Sequence, residues 1–591
     1  MNPSLSTFPQ QLAAGVRQLD TAGLNDLAGN IRAFLLDSVA RTGGHIGANL
    51  GTIEITLAIH HVFNVPSDRV VFDTGHQGYT HKLLTGRIDA FATLNTYRGM
   101  SRFLSRAEHE ADVIEASHAG TSLSLAAGLA WQETPSPAAH TVAVIGDGSL
   151  VEGLAFEALN FLPVNGRNLV VVLNDNGMAI APNVGGIHHM CTRPDWQAQA
   201  GGFFRALGFN YLAVPDGHDL AALTAALCEA KGAPGPWIVH AKTEKGRGLS
   251  CASAHPYKMH FSMPFDVATG KGASPTVMGT TFASVAAEEL LELMALHPEM
   301  VLITPATPYA SYLDKLTARY PTRVIDVGMA EQHAVGLACG LALQGKHPIV
   351  CVQTTFLQRA YDQLIHDAAY MDLPITLLGV RSSFAGFDSA THHGIYDIPY
   401  LRAIPRLQIY YPENPADMRN ALRVRAAAPK GPCILLHPYD PLSAAAAAAP
   451  SEPGDTTTVA EGDQGAILCV PNQAAKALAL REKILAEGGP AYGVVAVRRL
   501  KPLPADAILA QARSKRRLIT LEESNLPGGF GSAVLEILHD HDVLVPVFRA
   551  GVPDMFVQPG SNADCSLEAG LDVPSIYGRL KSRSSAFLNT L

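Results

Sequence analysis

A chain of 591 residues, 47% hydrophobic and 16% charged, with 52 Gly and 39 Pro, has room for about three or four compact α/β domains and is neither disordered nor fibrous in composition. The formal net charge of -9 and pI near 6.2 come with no basic patch or tail, which argues against nucleic acid and membrane surfaces as partners. Eight scattered cysteines without a C-x-x-C pair read as free thiols of a reducing cytoplasm. The first residues carry no charged segment leading into an apolar core, and no apolar run has the length of a membrane span.

Residues 24–39 place apolar side chains at helical spacing. Gly43-Gly44-His45-Ile46-Gly47-Ala48-Asn49-Leu50-Gly51 is a glycine-rich loop that enters a helical run over 52–62. Val70-Val71-Phe72 is a short strand ending at Asp73-Thr74-Gly75-His76-Gln77. Ser117-His118-Ala119-Gly120-Thr121-Ser122 leads into a small-residue helix over 123–131. An apolar run over 141–145 stops at Gly146-Asp147-Gly148-Ser149, an amphipathic stretch covers 151–160, and a second apolar run over 168–173 stops at Asn174-Asp175-Asn176.

That pattern predicts strand, helix, strand in a buried parallel sheet, with both strand ends opening on one crevice. A carboxylate at Asp147 and an amide oxygen at Asn176 are hard ligands that suit Mg2+, with diphosphate oxygens completing the shell. Gly146 and Gly148 let the backbone approach a phosphate closely. A Gly-Asp-Gly turn answered by Asn at the end of the next strand is the pattern of a thiamine diphosphate motif. A strand over 237–240 and the loop Lys242-Thr243-Glu244-Lys245-Gly246-Arg247-Gly248 complete a first α/β domain, residues 1–272.

The pattern then restarts. Strands are predicted over 301–304, 323–327, 348–352 and 374–380, with helices from Glu331 to about 343 and over 356–370, giving a second α/β domain, residues 273–442. Residues 443–456, with six consecutive alanines followed by Pro-Ser-Glu-Pro-Gly-Asp, have the composition of a linker. A third α/β domain, 457–591, carries strands over 466–470, 493–497 and 517–521. Gly528-Gly529-Phe530-Gly531 lacks the preceding strand turn and the later acidic residue of a dinucleotide fingerprint and reads as a helix start.

A protein serving thiamine diphosphate must anchor the diphosphate, hold the two rings bent and present a carboxylate to the aminopyrimidine. Glu331 is the carboxylate candidate, against the plainer reading of a first-turn helix Glu stabilised by the dipole. Ile180 is placed to wedge under the bend, and Phe356 to stack on the pyrimidine. His45, His76, His118, His260 and His392 all lie in glycine-rich or polar loops. They are candidate proton donors for a substrate carbonyl near neutral pH.

At this point the chain resembles the 1-deoxy-D-xylulose-5-phosphate synthase family of transketolase-like thiamine diphosphate enzymes, almost end to end. The motifs that carry the likeness are residues 44–51, 73–77, His81-Lys82-Leu83-Leu84-Thr85-Gly86-Arg87, 142–148, Ala330-Glu331-Gln332-His333-Ala334 and Thr355-Phe356-Leu357-Gln358-Arg359 onward to Gln363. The resemblance implies three α/β domains in a cytoplasmic homodimer that condenses pyruvate with D-glyceraldehyde 3-phosphate and releases CO2. It implies Mg2+ held by Asp147, Asn176 and the carbonyl of Met178, and cofactor contacts from His118, Gly146, Gly148, Ser149, Ile180, Lys245, Glu331 and Phe356. His45, His76 and His260 would surround the reacting carbon. Arg106, Asp388 and His392 would hold the donor before decarboxylation, with Arg359 also on the substrate side.

Three departures stand out. The segment 183–208 is much shorter than its counterpart in the family. The family has Tyr where Gln353 stands, and its Arg-Tyr-Pro-Arg-Gly ending reads Leu436-His437-Pro438-Tyr439-Asp440. That Tyr and the second Arg bind the acceptor's phosphate in the family, so of three residues only Arg381 is kept. The expectation is an altered acceptor, an aldehyde or ketone in place of glyceraldehyde 3-phosphate, unless His437, Arg402 or another basic residue restores the phosphate site. The alternatives are an ordinary synthase of this family, a transketolase-type transfer without CO2 loss, and a non-catalytic paralogue.

Overall fold

The computed structural model describes residues 8–131, 139–165, 168–272, 279–442, 454–515, 517–583 and 587–588. They fall into two compact units: the first lies within Met1–Val277 together with Val327–Ala330, the second within Met278–Asp326 and Glu331–Leu591. Most of the predicted linker, residues 443–453, lies outside the described residues. Among the described residues no helix is long and apolar enough to cross a membrane.

Unit 1 is built on strands β1 (Arg69–Phe72), β2 (Thr141–Gly146), β3 (Leu169–Asp175), β4 (Asn210–Val214) and β5 (Trp237–Lys242). They form one parallel sheet in the order β1-β2-β3-β5-β4. Side chains alternate between its faces: Val70, Phe72, Val142, Val144, Val170 and Val172 join one core, while Val71, Ala143, Ile145, Val171 and Leu173 join another. Helices cover both faces of such a sheet, which is why its strands are apolar throughout rather than alternating. Each buried Val, Leu or Ile contributes about 1.5–3 kcal/mol, so these runs fix the register and place every polar loop at a strand end. The amphipathic stretch forms the helix Gly153–Asn165, preceded by a 3-10 turn, Ser149–Val151.

Unit 2 holds β6 (Met300–Thr304), β7 (Val324–Asp326), β8 (His347–Gln353), β9 (Thr376–Val380), β10 (Gln408–Tyr410), β11 (Cys433–His437), β12 (Thr456–Ala460), β13 (Gly465–Cys469), β14 (Tyr492–Val497), β15 (Arg499–Lys501), β16 (Leu518–Asn525) and β17 (Val547–Val552). One sheet runs β15-β10-β11-β9-β8-β6-β7 and the other β12-β14-β13-β16-β17. The edge strands β15 and β12 are antiparallel and the remaining pairs are parallel. The helix Phe530–Asp540 begins where Gly528-Gly529 predicted a helix start. Its first N–H groups, from Phe530 and Gly531, donate to the buried side chain of Glu522 at 2.6 and 2.7 Å, so that helix end is capped from within.

The helix predicted over 356–370 is instead a succession of short pieces: Thr354–Leu357, a 3-10 turn Gln358–Ala360, Tyr361–Gln363 and a π-helical stretch Leu364–Ala369. Thr355 Oγ1 donates to the carbonyl of Thr391 at 2.6 Å, which ties the first piece to the neighbouring loop. Changes of helical pitch of this kind recur at functional sites.

Candidate functional site

In unit 1 the strand ends converge as predicted. Asp147, just beyond β2, is buried. Its Oδ1 accepts from Gly148 N at 3.1 Å and its Oδ2 from Gly177 N at 2.7 Å. Burial, then the neighbouring Asp175, pushes its carboxyl well above the usual range. Burial alone would raise Asp175 too, but hydrogen bonds from His240 (2.8 Å) and the Lys242 ammonium (2.5 Å) hold it well below that range. Asp175 is thus compensated, and Asp147 is the carboxylate short of a cation. His240 is oriented from its other side by Tyr211 at 2.9 Å. Asp175, His240 and Cys191 lie close enough to hold a metal ion, but the Lys242 ammonium occupies that charge position.

After β3, Asn176 Oδ1 accepts from Met178 N at 3.1 Å, and Asn183 N donates to Gly177 O at 2.9 Å, closing a tight loop that carries Met178 and Ile180, both partly buried. Ser149, two residues after Asp147, is buried. A Cβ at Gly148 would lie 2.7 Å from Ala179 Cβ, so glycine there lets the two loops touch. A Cβ at Gly146 would meet nothing within 4 Å, which leaves open space beside Asp147. The shortened segment after Asn183 forms two helices, Gly185–Thr192 and Trp196–Leu207.

The histidines gather. Ring centroids are 5.3 Å apart for His45 and His76, 5.4 Å for His45 and His260, and 5.0 Å for His76 and His260. Phe103 and Phe261 pack on His45 and were not singled out by the sequence, because a Phe in a loop carries no motif. Burial, then the Lys245 ammonium, pushes His76 down to about 3, and the same two causes hold His260 well below its usual range, so both rings are neutral. Burial pushes Lys245 down to about 7 against the opposing pull of Asp147, and its ammonium donates to Ala179 O. Asp147, Lys245 and the histidines are therefore electrically in contact. His118 is partly buried in a loop held by Asp73, which accepts from Gly120 N at 2.9 Å and Ser122 N at 3.1 Å. Arg106 is exposed, its backbone N–H donating to Glu115 at 2.8 Å.

Gly47 stitches these loops together. Its N–H donates to Met259 O at 3.0 Å and its carbonyl accepts from Gly246 N at 2.8 Å. A Cβ there would lie 2.0 Å from Lys258 O. Gly47→Ala is expected to displace the His260 loop and lower kcat/KM by at least about tenfold, since overpacking typically costs about 1–3 kcal/mol. Steady-state kinetics on the folded variant would test this, and a rate within about twofold of wild type would refute it.

In unit 2, Glu331 opens the helix Glu331–Leu343 and is buried. Phe356 is partly buried in the first turn after β8, its ring 5.4 Å from that of His392 in an edge-on contact, so it is not a core side chain. His392 is buried, with Nδ1 2.6 Å from Ser389 Oγ. Arg359 sits nearby in sequence on the 3-10 turn, partly buried. Gln353, the last residue of β8, is buried. Arg381 follows β9 with a left-handed backbone, φ 70°. Its guanidinium pairs with Asp388 at 2.5 Å and lies 4.3 Å from the centre of the Tyr439 ring.

The two residues named as candidates for restoring a cation are engaged elsewhere. His437 is fully buried, its Nδ1 3.2 Å from Pro438 O, and burial pushes it down to about 4. Arg402 is bound to Glu536 and to the carbonyl of Gly528 at 3.1 Å. Both side chains are consumed by packing that sequence cannot show.

The buried carboxylate beside open space, the adjacent amide and carbonyl, and the lysine behind them fit a metal-bound diphosphate. Residues 10–200 and 194–243 match the family model of 1-deoxy-D-xylulose-5-phosphate synthase. Residues 279–442 match the transketolase pyrimidine-binding domain and 454–576 the transketolase C-terminal domain. The class is a transketolase-type α/β enzyme, a transferase that uses thiamine diphosphate with a divalent metal, typically Mg2+. The chain is 38% identical to 1-deoxy-D-xylulose-5-phosphate synthase 1 of Geobacter sulfurreducens over 608 residues, 95% of each chain. It is 39% identical to the 1-deoxy-D-xylulose-5-phosphate synthase of Leptothrix cholodnii over 624 residues, 98% of this chain and 97% of that one. It belongs to the 1-deoxy-D-xylulose-5-phosphate synthase family. A solved transketolase from Campylobacter jejuni aligns at 17% identity with a TM-score of 0.45, over 95% of this chain and 99% of that one, and the fold assignment rests on the family models.

Proposed function

We propose that this enzyme decarboxylates pyruvate and passes the two-carbon unit to an acceptor that carries no phosphate, an uncharged aldehyde or ketone. The observation behind the acceptor is the state of Arg381: its charge is matched by Asp388 and its face is covered by Tyr439. A phosphate held by two arginines and a tyrosine would gain several charge-assisted hydrogen bonds, each about 1.5–3 kcal/mol. Tyr439 offers neither the fork nor the charge of an arginine. Glyceraldehyde 3-phosphate is therefore expected to be a poor acceptor, lower in kcat/KM by about two orders of magnitude. The relatives named above favour a second reading, an ordinary 1-deoxy-D-xylulose-5-phosphate synthase. Comparing kcat/KM for glyceraldehyde 3-phosphate with that for unphosphorylated aldehydes decides between them, and a strong preference for the phosphorylated acceptor selects the second.

In this reading the bound cofactor supplies the carbanion stabilisation. Asp147, Asn176 and the Met178 carbonyl would hold Mg2+, Lys245 would serve the diphosphate, and Glu331 would serve the aminopyrimidine. His45, His76 and His260, the last two held neutral by burial and the Lys245 charge, would hold or pass a proton at the substrate carbonyl and alkoxide. Asp388 and His392 position the donor together with Arg106. His392→Ala is expected to slow pyruvate-dependent CO2 release by about a hundredfold or more while cofactor affinity stays within about threefold. Equal loss in both measurements would refute a donor role. We also propose the division into domains 1–272, 273–442 and 457–591, a homodimer and a cytoplasmic location.

A further inference from the structure

Four adjacent strands of one sheet, β11-β9-β8-β6, end in one polar cluster. Gln353 ends β8, Arg381 follows β9 with Asp388 on the same loop, Tyr439 follows β11, and Tyr309 lies on the loop after β6. The chain leaves β6 for β7 on one side and returns to β8 on the other, so β6 and β8 flank the point where the strand order reverses. Ligands bind at such points, beyond the carboxyl ends of the strands.

The loop after β6 is shaped with care. Ala306 and Tyr312 both adopt left-handed backbones, φ 57° and 56°, around the 3-10 turn Pro308–Ser311. Ala306 N is anchored by Asp326 Oδ1 at 2.9 Å. Such conformations in non-glycine residues cost free energy and cluster at ligand clamps. They present Tyr309, which is partly buried, to Gln353, with which it hydrogen-bonds, and within electrostatic reach of Arg381, Asp388 and Tyr439. A side chain needed only to fill the core would be as well served by Phe. Here a hydroxyl is placed among polar neighbours. The cluster's charges cancel: one guanidinium, one carboxylate, an amide and two phenols. A dianion entering it would bring its charge against the Asp388 carboxylate, which already neutralises Arg381, whereas an uncharged hydroxyl or carbonyl finds donors and acceptors already in place.

We infer that Tyr309 is a specificity-determining residue: with Gln353 it lines a neutral subsite that admits a short unphosphorylated hydroxyaldehyde and excludes a phosphate. This rests on the acceptor reading proposed above. The test uses the full-length holoenzyme with pyruvate, and D-glyceraldehyde or D-glyceraldehyde 3-phosphate as acceptor probe, on wild type, Tyr309→Phe and Tyr309→Ala. Tyr309→Phe should raise KM for D-glyceraldehyde about tenfold with kcat and the pyruvate KM within about twofold. Tyr309→Ala should reduce the preference for the unphosphorylated acceptor by at least about tenfold. Acceptor KM and preference within about twofold of wild type in both variants would overturn the assignment of Tyr309 alone. A pyruvate KM that moves with the acceptor KM in Tyr309→Phe would also overturn it, since that is the mark of a structural role. A wild-type preference for D-glyceraldehyde 3-phosphate would overturn the acceptor reading itself, and this inference with it.

Discussion

Glu331→Gln is expected to cut kcat by about three orders of magnitude, which corresponds to about 4 kcal/mol of barrier, with fold and cofactor affinity retained. Glu331 is the first residue of its helix and is buried. Two roles fit that position. A first-turn carboxylate interacts with the helix dipole for about 0.3–1 kcal/mol. A carboxylate facing the aminopyrimidine shares a proton with it, and general acid–base groups contribute about 10²–10⁴-fold in rate. Gln separates the two. It has nearly the same volume and can still hydrogen-bond, so packing is preserved, but it cannot exchange a proton near neutral pH. If the role is structural, the variant loses a little thermal stability and no activity. If it is chemical, stability barely moves and turnover collapses. Steady-state kinetics with calorimetric cofactor titration separates these results, and a kcat within about tenfold of wild type, about 1.4 kcal/mol, would sink the chemical role.

What the sequence disclosed followed from how parallel sheets are built. Apolar runs interrupted by small polar residues gave the ends of β2 and β3, and with them Asp147 and Asn176, because strand ends in such sheets are where ligand loops lie. The three clustered histidines were legible as loop residues, though their mutual approach to about 5 Å depends on contacts through Gly47 that only the folded chain reveals. Less legible was anything set by side-chain pairing across distant segments. Nothing local says that Arg402 is bound by Glu536, that His437 is buried against Phe282, or that Arg381 is matched by Asp388. Tyr309 sits on a short 3-10 turn with no motif around it, so periodicity passed over it. The stretch 354–369 has helical hydrophobic spacing yet changes pitch repeatedly, because apolar periodicity reports which face is buried and not how many residues fill each turn. The pairing of β15 with β10 likewise joins segments far apart in sequence.

Asp147→Asn is expected to weaken binding of Mg2+ with thiamine diphosphate by at least about a hundredfold, about 2.7 kcal/mol, while the cofactor-free protein becomes more stable. The opposite signs come from one cause. Asp147 is buried beside Asp175, and the two carboxylates repel. Asp175 has His240 and Lys242 to compensate it, whereas Asp147 has two backbone N–H groups, from Gly148 and Gly177, and the more distant Lys245 charge. A bound divalent cation offsets that imbalance, so the strain of the empty site is part of what favours binding. Asn keeps the shape and an oxygen for the Gly177 N–H, removes one negative charge, and brings an N–H2 that can donate to Asp175. Asn carries no charge that must be neutralised or held beside Asp175, which favours the cofactor-free variant, while the metal loses a charged ligand for a neutral one. Thermal unfolding without cofactor should therefore shift upward in the variant, and the upward shift that wild type shows on adding Mg2+ and thiamine diphosphate should largely vanish. Unchanged affinity would remove Asp147 from the metal site. A cofactor-free variant less stable than wild type would show that the carboxylate's two backbone hydrogen bonds outweigh its repulsion by Asp175, and that the empty site is not strained.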